Sequence, residues 1–156
     1  MKDFLNQQIE IGNCVAYIDA TRGTTRRIEK GTVSQINEKS IVVTNGDGNH
    51  KRLMLSTSRH KDNTRLVKAV VIPAHTEREG EIKDFTGYPI SIGDQIVCMQ
   101  DSKFNFGESF VKGVVTRVTE NFVFLDVTVE TISTADGKAM YSQKQYRRSP
   151  ERVIVI

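Results

Sequence analysis

Lysine and arginine are the residues of this chain grouped densely enough to act together on one ligand. Thr21-Arg22-Gly23-Thr24-Thr25-Arg26-Arg27, with Lys30 just beyond, combines guanidinium forks, hydroxyls and a flexible backbone. That mixture suits phosphate oxygens, because the fork matches their geometry and hydroxyls add neutral donors. Lys51, Arg52, Arg59, His60, Lys61, Arg65 and Lys68 follow. Cations placed in this way neutralise phosphates and release counterions, the sequence-independent source of nucleic-acid affinity. The competing reading is a solvated charged loop. A third group, Lys144-Gln145-Tyr146-Arg147-Arg148, sets an aromatic ring beside two arginines. Tyr146 would stack on an exposed base or ribose if its ring faced solvent; a core or edge tyrosine beside a charged turn is the alternative.

Other chemistries find no support in the residue pattern. No nucleophile sits with a base, no carboxylates pair, and Gly46 and Gly48 belong to a turn signal rather than a phosphate loop. We therefore expect a protein that binds and does not catalyse, with no cofactor. A metal is not expected either: there is no CxxC pair, and His50, His60 and His75 stand apart. His75 beside Glu77 reads as a solvated pair. Cys14 and Cys98 read as small buried hydrophobes rather than a disulfide. The absence of Trp disfavours an aromatic cage for methylated lysine. No apolar run approaches the ~20 residues of a membrane span, and Met1-Lys2-Asp3-Phe4 lacks the apolar core of a secretory signal. The expectation is a soluble, cytoplasmic protein with no membrane partner.

The elements that must position the basic residues are strands. Val and Ile number 31 against 11 for Leu and Ala, and β-branched side chains fit a pleated surface better than a helix. Three blocks recur in the same order. Ile9-Glu10-Ile11-Gly12-Asn13 matches Ile90-Ser91-Ile92-Gly93-Asp94, Lys30-Gly31-Thr32-Val33 matches Lys112-Gly113-Val114-Val115, and Lys68 to Ile72 matches Arg152 to Ile156. Their offsets of 81, 82 and 84 describe one unit duplicated with small loop insertions.

Each copy reads as five strands. In the first they are Asn13 to Ile18, Ile28 to Ile36, Ile41 to Val43, Lys51 to Leu55 and Ala69 to Ile72, with a hairpin turn at Asn45-Gly46-Asp47-Gly48. In the second they are Gln95 to Met99, Phe110 to Val118, Phe122 to Val129, Ala139 to Tyr146 and Val153 to Ile156, with a turn at Ala135-Asp136-Gly137. Val33, Ile36, Val115 and Val118 are expected inside. Short strands at regular spacing indicate small barrels. We place the first at 1–75, an acidic linker at 76–88, and the second at 89–156. Lys and Arg outnumber Asp and Glu by 12 to 7 in the first stretch, are outnumbered 2 to 4 in the linker, and balance at 8 to 8 in the last. The basic surface is thus expected on the first barrel. In the second, Phe104 and Phe106 form a loop of little net charge that could meet a protein partner.

Gly12-Asn13 and Gly31 in the first copy, with Gly93-Asp94 and Gly113 in the second, resemble the KOW and Tudor group of SH3-like barrels, in which a Gly-Asp pair precedes the first strand and a glycine marks the second. The resemblance spans nearly the whole chain and implies an all-β fold of two tandem five-stranded SH3-like barrels. The first loops, 20–29 and 101–109, are longer than in compact KOW modules. The two-barrel make-up also resembles DNA-binding early proteins of T-even-like bacteriophages. That likeness implies double-stranded DNA as the partner, with an effect on transcription or DNA organisation; residue chemistry alone specifies only a polyanion. RNA binding, or an adaptor docking on transcription or translation machinery, stands as the alternative.

Overall fold

The computed structural model describes residues 1–20, 26–55, 68–99, 110–132 and 139–156. They form two five-stranded antiparallel sheets, and the fold is all-β with two barrel-like units in tandem. The first sheet contains β1 (Cys14–Ala20), β2 (Arg26–Asn37), β3 (Ser40–Thr44), β4 (His50–Met54) and β5 (Ala69–Val71), in the order β4-β3-β2-β1-β5. The second contains β6 (Gln95–Met99), β7 (Phe110–Val118), β8 (Val123–Ile132), β9 (Ala139–Arg148) and β10 (Val153–Val155), ordered β10-β6-β7-β8-β9. Every strand thus takes the place of its counterpart in the other copy.

The duplication extends to single hydrogen bonds. Gly12 and Gly93 both have positive φ, and each donates its N–H to a core valine carbonyl, Val33 or Val115, at 2.8 Å. Both long second strands carry a bulge, between Val33 and Gln35 and between Val115 and Arg117. The bulged residue's hydroxyl closes the gap in each: Ser34 Oγ donates to the Val42 carbonyl and Thr116 Oγ1 to that of Phe124, both at 3.2 Å. Asn45 organises the expected hairpin by accepting the N–H of Asp47 and Asn49, with Gly48 at φ 79°.

Alternation along the strands builds one core per unit. Val15, Tyr17, Val33, Ile41, Val43 and Leu53 fill the first, and Ile96, Cys98, Val115, Leu125, Val127 and Tyr146 the second. Val33 and Val115 are buried as expected, while Ile36 and Val118 pack against the cores only in part. Cys98 is buried; Cys14 is exposed, contrary to expectation, because it precedes the buried stretch of β1.

The stretch expected as linker contributes to the second unit, which gathers Ala74–Cys98 with Val111–Ile156. Lys83 pairs with Pro89 as Lys2 pairs with Gln8. Asn6 and Gly87 supply the same positive-φ turn residue. Asp3 and Asp84, both buried, fix this turn. Each accepts backbone N–H groups within it, from Gln7 or from Thr86 and Tyr88, and reaches the last strand of its own unit. The repeated unit therefore opens at Lys2-Asp3-Phe4 and Lys83-Asp84-Phe85, a match that lies in plain sight in the sequence.

Candidate nucleic-acid interface

The described cations of the first unit do not share one surface. Arg26 and Lys30 are an even number of residues apart on β2 and so lie on one face, whereas Arg27 lies on the other. Arg27 is also committed: its Nε contacts Glu29 Oε1 at 2.6 Å. Glu29 in turn accepts a hydrogen bond from the Tyr17 hydroxyl at 3.1 Å. Burial, followed by that hydrogen bond and the carboxylate charge, pushes the Tyr17 phenol up to about 12. Lys51 is paired with the buried Asp19, so its charge is largely spent inside the unit. Arg52, its neighbour on β4, faces the opposite way and is exposed. Arg22, Arg59, Lys61 and Arg65 lie outside the described residues, as do Phe104 and Phe106.

The second unit holds a different arrangement. Tyr146 is 8% exposed and belongs to the core, opposite Leu125. Its ring is not offered for base stacking, and the alternation of β9 explains why: Tyr146 falls on the same face as the partner positions of Val123, Leu125 and Val127. Arg148 lies over that ring, 4.4 Å from its centroid. Lys144, opposite the buried Val127, is exposed.

On the outward face, Arg117 of β7, Phe124 of β8 and Arg147 of β9 are direct cross-strand neighbours. The Arg117 guanidinium stacks 3.7 Å from the Phe124 ring centroid, and that of Arg147 lies 4.7 Å from the Phe122 centroid. An aromatic face holds a guanidinium flat by cation–π attraction and leaves its N–H edge available. Among the described residues neither arginine has a carboxylate partner. These are positioned and unspent cations, unlike Arg27 and Lys51. The corresponding row in the first unit is Gln35, Val42 and Arg52, so only the last position keeps an arginine in both copies.

Arg117, Phe122 and Phe124 were not among the residues singled out from the sequence. The signal was present in the phase of Phe122-Val123-Phe124-Leu125: with Val123 and Leu125 inward, both phenylalanines must face out, which a purely structural strand does not require.

A further cluster sits where the linker was expected. His75 stacks on Tyr88 with centroids 3.9 Å apart, and its Nε2 lies 3.1 Å from the Val155 carbonyl oxygen, so it is not a solvated histidine. Arg78 lies over the same Tyr88 ring, donates to the Pro89 carbonyl, and binds both Asp94 oxygens at 3.0 and 2.5 Å. Burial works against the Asp94 charge, but the hydrogen bonds from Arg78 and the Ser91 N–H outweigh it and hold the carboxyl below its usual range. This arrangement ties the chain down rather than presenting a reactive group.

Among the described residues no three His, Cys, Asp or Glu side chains are placed to hold a metal, and no helix is long and apolar enough to cross a membrane. A family model described as a domain of unknown function, DUF7205, matches residues 1–69 and 82–156. The second segment begins at the turn closed by Asp84. No curated protein matches the chain.

Proposed function

The chain belongs to the DUF7205 family, and from its own residues we propose a non-enzymatic nucleic-acid-binding protein that holds double-stranded DNA largely without regard to sequence. The observation that carries this reading is the row Arg117, Phe124 and Arg147, two unpaired guanidiniums on either side of an aromatic residue on an exposed sheet face. Phosphate is the ligand such forks fit best, because each can offer two parallel N–H groups to two oxygens. Arg52 and Lys30 extend the basic character to the first unit, but the second unit supplies the positioned contacts. Resemblance of the two-barrel make-up to MotB, the DNA-binding early protein of T-even-like bacteriophages, favours DNA and an action on transcription or DNA organisation.

The test is a gel-shift titration with duplex DNA, single strands and structured RNA at two salt concentrations. Binding that weakens steeply with salt is expected. No binding to any of the three removes the proposal and leaves an adaptor that docks on a protein.

A further inference from the structure

The second sheet ends in β10 on one side and β9 on the other. The β10 edge is closed: Asp84 takes the Val155 N–H, His75 Nε2 meets the Val155 carbonyl at 3.1 Å, and the Phe85 N–H donates to the Val153 carbonyl at 3.0 Å. No strand among the described residues pairs with the far side of β9. Its register with β8 runs unbroken from Val123 and Arg148 to Ile132 and Ala139, so no bulge twists this edge out of reach.

Which backbone groups β9 offers follows from its neighbours. The Phe124 carbonyl accepts from Thr116 Oγ1 and therefore points towards β7, so Val123, Leu125, Val127 and Val129 turn their backbone groups towards β9. The reach of Ser142 Oγ to the Val129 carbonyl agrees. Their partners on β9 are thereby bonded to β8, and the residues between them, Tyr141, Gln143, Gln145 and Arg147, aim N–H and C=O outward along about 20 Å of edge. Among the described residues only the Arg147 carbonyl is met there, by Arg148 Nη1 at 3.0 Å.

The side chains decide what can pair with this edge. Lys144, Tyr146 and Arg148 stand opposite Val127, Leu125 and Val123 and so share the core-side face of the strand. Lys144 is exposed and has no carboxylate partner among the described residues. The acids of β8, Asp126 and Glu130, occupy register positions of the other face, opposite Gln145 and Tyr141. A second copy of β9 fits badly, because an antiparallel match of the four outward-bonding residues is centred on Lys144 and sets that lysine against itself. We infer that the β9 edge takes an extended acidic segment of a partner protein as an added strand, with the pattern acid-x-apolar-x-acid. Its carboxylates lie opposite Lys144 and Arg148, and its apolar residue lies opposite Tyr146. Backbone bonds supply affinity, and the alternate side chains supply the choice of partner. The edge is distinct from the outward face that carries Arg117 and Phe124, so it binds such a segment whether or not the chain holds nucleic acid.

Amide exchange of the full chain by NMR, with the peptide Thr-Glu-Thr-Val-Thr-Glu-Thr as probe, tests this. In the free chain the Gln143 and Gln145 amides should exchange about 10-fold or more faster than those of Lys144 and Tyr146. Saturating peptide should slow them about 10-fold or more. The same peptide N-methylated at its threonines keeps its charge but loses the donors that face β9, and should give no protection. Lys144→Glu, a change at an exposed side chain, should weaken peptide binding about 5-fold and leave the melting temperature unchanged. Amides already slow in the free chain, equal binding of the N-methylated peptide, unchanged binding by Lys144→Glu, or no protection at about 1 mM peptide overturns the assignment. A concentration-dependent dimer that protects the same amides overturns it too, by giving the edge to a second copy.

Discussion

Asp84 accepts the backbone N–H of Val155 at 2.8 Å across 71 residues of chain, and Asp3 does the same for Val71 at 2.8 Å. Each buried carboxylate also serves donors in its own turn, so its removal orphans several N–H groups at once. Asp84→Ala should destabilise the second unit by about 3 kcal/mol, because each unsatisfied buried donor costs roughly 1–3 kcal/mol. Asp84→Asn keeps one acceptor oxygen and should cost less. Urea denaturation curves of the two variants give the comparison, and a near-neutral Asp84→Ala would show that the turn is not part of the fold's stability.

Gly31 and Gly113 leave no room for a methyl group. A Cβ on Gly31 would lie 2.6 Å from both the Thr44 carbonyl oxygen and Val43 Cγ1, and one on Gly113 would lie 2.9 Å from the Asp126 carbonyl oxygen and 2.8 Å from Val127 Cγ2. Gly31→Ala should cost about 2 kcal/mol in the manner of other overpacked sites. Gly113→Ala should cost less, since its clashes are milder. Thermal melting of both variants checks the order.

Tyr17 supplies an alkaline signature. Its phenol, pushed up to about 12 by burial and by Glu29, stays protonated in the folded chain after the unfolded chain has begun to ionise near its ordinary value of about 10. The folded state then binds more protons, so this contribution is complete below pH ~10 and disappears as pH rises through ~12. Denaturation midpoints followed from pH ~9 upwards should fall in the wild type, and the fall should be shallower in Tyr17→Phe. An absorbance titration at the phenolate band reads the same step directly.

Salt dependence separates the spent cations from the unspent ones. Arg117→Gln and Arg147→Gln should each flatten the slope of log K against log salt by about 1, with little change in sequence preference. Lys51→Gln should leave the slope nearly unchanged, because its ammonium is paired with Asp19. A flattened slope from Lys51 and none from Arg117 or Arg147 would move the interface to the first unit.

Periodicity and the three matching blocks were enough to find two five-stranded copies, since β-branched alternation, Gly31 and Gly113, and the Asn45 to Gly48 turn each constrain the backbone locally. The opening turn of each copy was missed because its determinant is one buried aspartate whose partner is some seventy residues away. The proposed interface was legible only in part. Counting charge pointed to the first unit, but charge tallies do not register that Arg27 pairs with Glu29 along β2 and that Lys51 of β4 pairs with Asp19 of β1, two strands not adjacent in the sheet. Tyr146 illustrates the same limit: beside two arginines in the sequence it looks like a stacking platform, whereas strand phase sends it into the core.

The bulge shared by β2 and β7 decides which side chains the surface keeps. With it, Val33 and Ile36, or Val115 and Val118, both turn inward although they stand three positions apart, while Gln35 and Arg117 turn outward. Plain alternation through the same residues would instead turn Arg117 into the barrel, converting an exposed cation into a buried, unpaired charge. The extra residue, Ser34 in one copy and Thr116 in the other, is therefore what sets the phase of the strand beyond it.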